Sequence, residues 1–312
     1  MQRRHFLKAA VGVVALGIPK SLGAQGLVES DPPAVGENMI RVVHSGPEGR
    51  IILTDSSSYL LNKSGTEDVV VSSSFAGAVA AATTLLTGPR AAILHDAGIG
   101  LDQAGISGLP FMERYDVPCA AVASASATLS NGNSLYEGTI SSVNDLARKL
   151  GVEPGQPARE AAMNLLKAKP GRKIQARGEV DDKLYELEVA SKGRILAIWG
   201  LPYLGKGEFP NDVFALATHS ARVAAEHAFR WNVKAWVAND AGPGKNNSGI
   251  DGLSICGDKG MPAAAVSAMS ARIGDAMSTW NTGIISAANE PAKAKGVMVG
   301  MTAKEALRMM NA

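Results

Sequence analysis

The chain has 312 residues, 46% of them apolar, with 31 Lys and Arg against 29 Asp and Glu. That is enough apolar sequence for one large domain or two smaller ones, and the balanced charge without a basic cluster argues against nucleic-acid binding. Beyond the first 24 residues no run is long and uncharged enough to cross a bilayer.

Residues 1–24 read as an export address. Arg3-Arg4-His5-Phe6-Leu7-Lys8 resembles the twin-arginine pattern, a weakly apolar run covers Ala9 to Ile18, and Leu22-Gly23-Ala24 fits a small-residue cleavage site. The run is too short for a spanning helix, which needs roughly 20 apolar residues. The expectation is a periplasmic protein beginning near Gln25 and handled by the twin-arginine export machinery, with no later membrane span. Four Lys and Arg and no Asp or Glu fall in this segment, which leaves 27 cations against 29 anions on the remainder. Residues 25–37 read as an extended lead-in.

From there the chain is written twice. His95-Asp96-Ala97-Gly98-Ile99-Gly100 returns as Asn239-Asp240-Ala241-Gly242-Pro243-Gly244, an offset of 144. Gly49-Arg50-Ile51-Ile52 pairs with Gly193-Arg194-Ile195-Leu196, and Pro118 to Val122 pairs with Pro262 to Val266, at the same offset. Later pairs such as Asn144 with Asn289 and Gly151 with Gly296 sit at 145. The repeats are set at 38–170 and 179–312, joined by a linker over 171–178. A period this long describes a fused pseudo-dimer of a small domain, not a solenoid.

Within the first repeat, β-branched runs at Met39 to Val43 and Arg50 to Thr54 flank a Ser-Gly-Pro-Glu-Gly loop and predict a hairpin. Val69 to Val71 predicts a buried strand, Ala76 to Leu86 a helix, and Ala91 to Leu94 a strand ending at the Asp-Ala-Gly turn. Gly105 to Tyr115 predicts a helix and Ala120 to Ala123 a strand. Two more helices follow: Val143 to Leu150, stopped at Gly151, and Pro157 to Ala168, with Pro in the first turn. The fold class is α/β: a tandem duplication of a hairpin plus β-α-β-α-β-α-α unit with mainly parallel strands. Cys119 and Cys256 lie at non-equivalent repeat positions in apolar surroundings. They read as two buried thiols, in a compartment that would also permit a disulfide.

The segment Ala147-Arg148-Lys149-Leu150-Gly151-Val152-Glu153-Pro154-Gly155, with Arg159-Glu160-Ala161, resembles the ending of the small YunC-like domains. So does Lys295-Gly296-Val297-Met298-Val299-Gly300-Met301-Thr302-Ala303-Lys304-Glu305-Ala306. The resemblance covers the last third of each repeat. It implies a compact α/β unit and no activity.

Polar residues gather at the predicted strand ends, where parallel sheets bind ligands. In the second repeat these are His219, Asn239, Asp240, Ser270, Arg272 and Asp275. Their first-repeat counterparts are Phe75, His95, Asp96, Ser126, Thr128 and Asn131. Three exchanges remove a titratable or charged group from the first repeat, so the second reads as the working copy. His219, Asp240 and Asp275 are the acid–base candidates. Arg272 is the anion clamp, helped by Asn239, Ser270, Gly242, Gly244, His95 and Asp96. Each has a plainer reading: Asp96 and Asp240 as turn caps, Arg272–Asp275 as a local ion pair, His219 as a packed histidine. The glycine spacing is neither a dinucleotide fingerprint nor a Walker A loop, so no NAD or ATP motif is present. No ligand spacing specifies a metal, and the cofactor stays open between none and a divalent cation. Two functions follow: an enzyme doing acid–base chemistry on a small anionic metabolite, or a non-catalytic periplasmic small-molecule-binding protein. Oligomeric state is not fixed by the sequence.

Overall fold

A computed structural model describes residues 40–312 and a two-residue strand, β1 (Ser21–Leu22). The export signal and lead-in expected over 1–37 otherwise lie outside the described residues.

The first half runs β2 (Ile40–Gly46), β3 (Gly49–Thr54), β4 (Asp68–Phe75), α1 (Ala78–Leu85), β5 (Ala91–His95), α2 (Gly108–Glu113), β6 (Cys119–Val122), α3 (Gly132–Tyr136), β7 (Ile140–Val143), α4 (Asp145–Lys149) and α5 (Ala158–Leu165). The second repeats it as β8 (Leu184–Ala190), β9 (Gly193–Ile198), β10 (Val213–His219), α6 (Arg222–Arg230), β11 (Ala235–Asn239), α7 (Asp251–Asp258), β12 (Ala263–Val266), α8 (Ala276–Thr282), β13 (Ile285–Ala288), α9 (Glu290–Ala294) and α10 (Ala303–Asn311). Strands lie side by side in chain order, β2 to β7 in one sheet and β8 to β13 in the other, with β1 added to the edge of β8. The four central strands of each sheet are parallel and both flanking pairs are antiparallel. The α/β class and the two similar halves are therefore as the sequence predicts.

Helices cover both faces of each sheet, so the central strands carry continuous apolar runs, such as Val69–Val71 and Ala91–Leu94, rather than alternating. In β5, Ala91 and Ile93 face α3 and α5, while Ala92 and Leu94 face α1 and α2. Two elements depart from expectation, the short helix α3 over Gly132–Tyr136 and the strand that follows it. Residues 140–143 form the antiparallel edge strand β7, where a helix was predicted from Val143 onward. Its equivalent β13 does the same. Asn144 then caps α4 through Oδ1, which accepts from Ala147 N at 3.0 Å, and the same oxygen accepts from Cys119 N at 3.0 Å. Asn289 makes the matching pair of bonds to Ala292 and Ala263. One amide thus starts a helix and ties it to the neighbouring strand, which explains its presence in both copies. Arg50 grips Asp68 bidentately at 2.7 and 2.8 Å, and Arg194 grips Asp212 likewise. Cys119 and Cys256 are both buried free thiols.

The two halves meet through the carboxyl ends of their parallel strands. Leu101 N donates to Ala268 O at 2.8 Å, and Lys245 N donates to Ser124 O at 2.8 Å. These are one contact with the roles of the halves exchanged, since 101 corresponds to 245 and 124 to 268. Reciprocal pairing of this kind defines a local two-fold axis. An apolar cluster containing Phe75, Ala97, Leu129, Ala221, Ala241 and Ile273 fills the junction.

Candidate functional site

The duplicated Asp-Ala-Gly turn sits at this junction. Asp240 Oδ1 accepts from Gly242 N at 3.0 Å and Ala268 N at 2.9 Å. Asp96 Oδ1 accepts from Gly98 N and Ser124 N, both at 2.9 Å. Each carboxylate is buried and ties its turn to the following strand's exit. A Cβ on Gly98 would lie 3.0 Å from Gly242 Cα, so the backbones of the two turns touch across the axis. Glycine is required there by contact as well as by its φ of 70°.

His95 and Asn239 are different residues doing one job. His95 Nδ1 accepts from Ala97 N at 3.0 Å and its Nε2 bonds Ala127 O at 3.2 Å. Asn239 Oδ1 accepts from Ala241 N at 2.9 Å and Nδ2 donates to Ala271 O at 2.9 Å. Burial, above all, lowers the His95 pKa and keeps the ring neutral. Asp275 caps α8 by accepting from Ser278 N at 2.8 Å, as Asn131 caps α3. Ser270 Oγ donates to Ser267 O at 2.8 Å and accepts from Ile284 N at 2.9 Å, and Ser126 makes the corresponding bonds. Arg272 is half exposed; its Nε donates to Asp102 of the other half at 2.7 Å, with Asp275 at 3.8 Å.

The structure does not gather these residues round one space. Of the acid–base and clamp candidates, only His219 lines the partly open cavity on the local axis. The cavity wall is built in equivalent pairs: Ser57 with Leu201, Ser74 with Thr218, Phe75 with His219, and Thr83 with His227. The room for water centres is about 50 Å³, enough for a few waters or a ligand of a few heavy atoms. Among the described residues, no Asp, Glu, Lys or Arg lines it.

What lines it are neutral donors. His219 Nδ1 accepts from Ala221 N at 3.2 Å. Burial, reinforced by His95, pushes its pKa down to about 3. The ring is therefore neutral with its proton on Nε2, which bonds to no protein group among the described residues. Trp199 Nε1 is buried without a partner, on an indole edge-on to Tyr203 at 4.4 Å. Thr83 Oγ1 donates to Val79 O at 3.1 Å, so the Tyr203 hydroxyl must donate to Thr83 Oγ1. Burial pushes Tyr203 up to about 12. His227 lies between the rings of Tyr59 and Trp231, and burial pushes it down to about 3.

Beside the cavity runs an ionic network that the sequence reading missed. Arg222 Nη2 donates to Asp55 Oδ2 of the other half at 2.6 Å, Nη1 donates to Glu226, and Tyr59 Oη donates to Glu226 Oε2 at 3.4 Å. Asp251, pushed up to about 6 by burial, accepts from Arg222 N at 2.6 Å. The signal was present: Arg222, Glu226 and Asp251 stand opposite Ala78, Ala82 and Ser107 in the first repeat. Among the described residues no group of three or more His, Cys, Asp or Glu is placed to hold a metal ion. Set against known protein families, curated proteins and solved structures, the chain matches none of them.

Proposed function

We propose that this is an exported small-molecule-binding protein whose ligand occupies the cavity on the local axis. The carrying observation is the Nε2–H of His219, which has no protein partner and opens onto a cavity wall without an ionised side chain among the described residues. A donor open to the cavity can give its hydrogen bond to water there or to a ligand acceptor that displaces the water. The ligand is therefore compact, uncharged and a hydrogen-bond acceptor. This departs from the anionic metabolite expected from Arg272, which lies outside the cavity. The likeness to YunC-like domains lends the proposal no chemistry.

An enzyme is the second reading, favoured by the same donor. A neutral imidazole N–H can polarise a carbonyl in a dry site. It cannot act as a base in this tautomer, because Nδ1 already accepts from Ala221 N.

The test is a thermal-shift screen with small amides, ketones, lactones and diols against the parent and His219→Phe. The first repeat already carries Phe75 at this position, so the variant should fold. Selective stabilisation of the parent, lost in the variant, supports the reading; a hundredfold excess of ligand over Kd adds about 2.7 kcal/mol. If every stabilising compound acts equally on both proteins, the cavity is not the site. Turnover of a stabilising ketone or lactone would favour the enzyme. For export, N-terminal sequencing of periplasmic material should begin at Gln25. Retention of Met1 would overturn it.

A further inference from the structure

The amino ends of the first-half strands carry a second depression, open to solvent. It is lined by Arg90 before β5, Asp116 before β6, Lys149 at the end of α4, and Lys167, Lys169 and Arg172 on the way into the second half. The room for water centres there is about 830 Å³. Five cations face one carboxylate. Lys149, Lys169 and Arg172 form no ion pair among the described residues. Arg90 is 6% exposed; its Nη1 donates to Leu166 O at 2.5 Å and Nη2 to Glu67, while Nε has no partner.

Cations collect at helix carboxyl ends, which accounts for Lys149 and Lys167. It does not account for Lys169 and Arg172, which stand on an irregular linker. That linker is pinned: Gly171 N donates to Thr66 O at 2.8 Å and Ile174 N to Leu85 O at 3.0 Å. A Cβ on Gly171 would lie 2.2 Å from Pro89 O, so the strap is pressed against the end of the sheet. The second repeat serves as an internal control. It carries Ala294 in place of Lys149, with Lys234 opposite Arg90 and Lys259 opposite Tyr115. The fold therefore does not require a cation at the Lys149 position.

We propose that the groove binds a compact polyanion bearing phosphate groups. Several unpaired cations converge on one concave surface of a chain whose charge is otherwise balanced. Arg172 can present a planar fork to phosphate oxygens, and the lysines add point charges. The same phosphate chemistry is offered by a soluble phosphorylated compound and by an anionic phospholipid headgroup. The groove lies at the opposite ends of the strands from the axial cavity, so the proposal stands or falls independently of that site.

Titration calorimetry of the protein with pyrophosphate at low salt is the test, with sedimentation of phosphatidylglycerol vesicles beside it. The expected result is binding to one probe that weakens as salt rises. The triple variant Lys149→Ala/Lys169→Ala/Arg172→Ala should weaken it by about a hundredfold. A control pair on the second half, Lys206→Ala/Lys295→Ala, should change it by less than about twofold. His219→Phe should leave it unchanged. Binding to pyrophosphate assigns a soluble ligand, and binding to vesicles alone assigns a headgroup. No binding to either probe, or an equal loss in the control pair, overturns the proposal.

Discussion

Replacing Asp240 separates a turn-former from a reactive group. Its Oδ1 accepts two backbone N–H groups, from Gly242 and Ala268, at 3.0 and 2.9 Å, and the residue is 5% exposed. Asp240→Ala leaves the Ala268 N–H buried and unpaired, while the N–H of exposed Gly242 can turn to water. With one orphaned buried group the loss should be roughly 1–3 kcal/mol. Asp240→Asn keeps an oxygen at the same place and gives up only the charge-assisted part of the bonds, about 1 kcal/mol. Urea unfolding followed by circular dichroism measures both variants, with the slope checked for a change in unfolding behaviour. Asp96 should give the same ordering, since its bonds to Gly98 and Ser124 match. The double alanine variant should be non-additive, because the two turns touch at Gly98 and Gly242. An Ala variant within about 0.5 kcal/mol of the parent, or an Asn variant as unstable as the Ala variant, would show that these bonds do not hold the turn.

His219 and His227 protonate near their ordinary 6.5 in the unfolded chain but only at about 3 in the folded one. Below pH 6.5 the unfolded state therefore binds more protons, and stability should fall with falling pH down to about 3. Each histidine contributes up to about 1.4 kcal/mol per pH unit. Urea melts between pH 7 and pH 4 should show a shallower decline for His227→Thr, which copies Thr83; an unchanged slope would exclude His227 as a source. His95→Asn should cost less than about 1 kcal/mol, because Asn239 makes the same two bonds, whereas His95→Ala should cost about 2 kcal/mol or more. Arg272→Ala should change stability by less than about 1 kcal/mol, as an ion pair between half-exposed partners. A larger loss in thermal unfolding would give Arg272 a structural weight that its geometry does not.

The duplication made most of the fold readable, because each weak strand signal had a second copy at a fixed offset. Val69 to Val71 and Ala91 to Leu94 are short apolar runs whose flanking glycines and helices recur. The edge strand β7 escaped because Ile140-Ser141-Ser142-Val143 is half polar and pairs on one side only. At the site, the sequence located residues but not their partners. Periodicity places Asp240 at a strand end; it cannot say that a carboxylate oxygen is already taken by two amides. Nor does it say that the strand ends of one half face those of the other. The comparison of repeats was more informative than the motif itself. The Phe75/His219 exchange marks the one candidate that reaches the cavity, and Thr83/His227 marks another wall position by the same logic.

Two separate chains meeting on a two-fold axis would present every wall residue twice, so a cavity there could hold only two histidines or none. Joining the copies in one chain keeps them at high effective concentration and lifts that restriction. One wall can then keep Phe75 while its mate becomes His219, and Thr83 can remain while its mate becomes His227. An axial cavity so divided distinguishes the two ends of whatever enters it. An unsymmetrical ligand acquires a single orientation, with its acceptor toward the second half and its apolar end against Phe75.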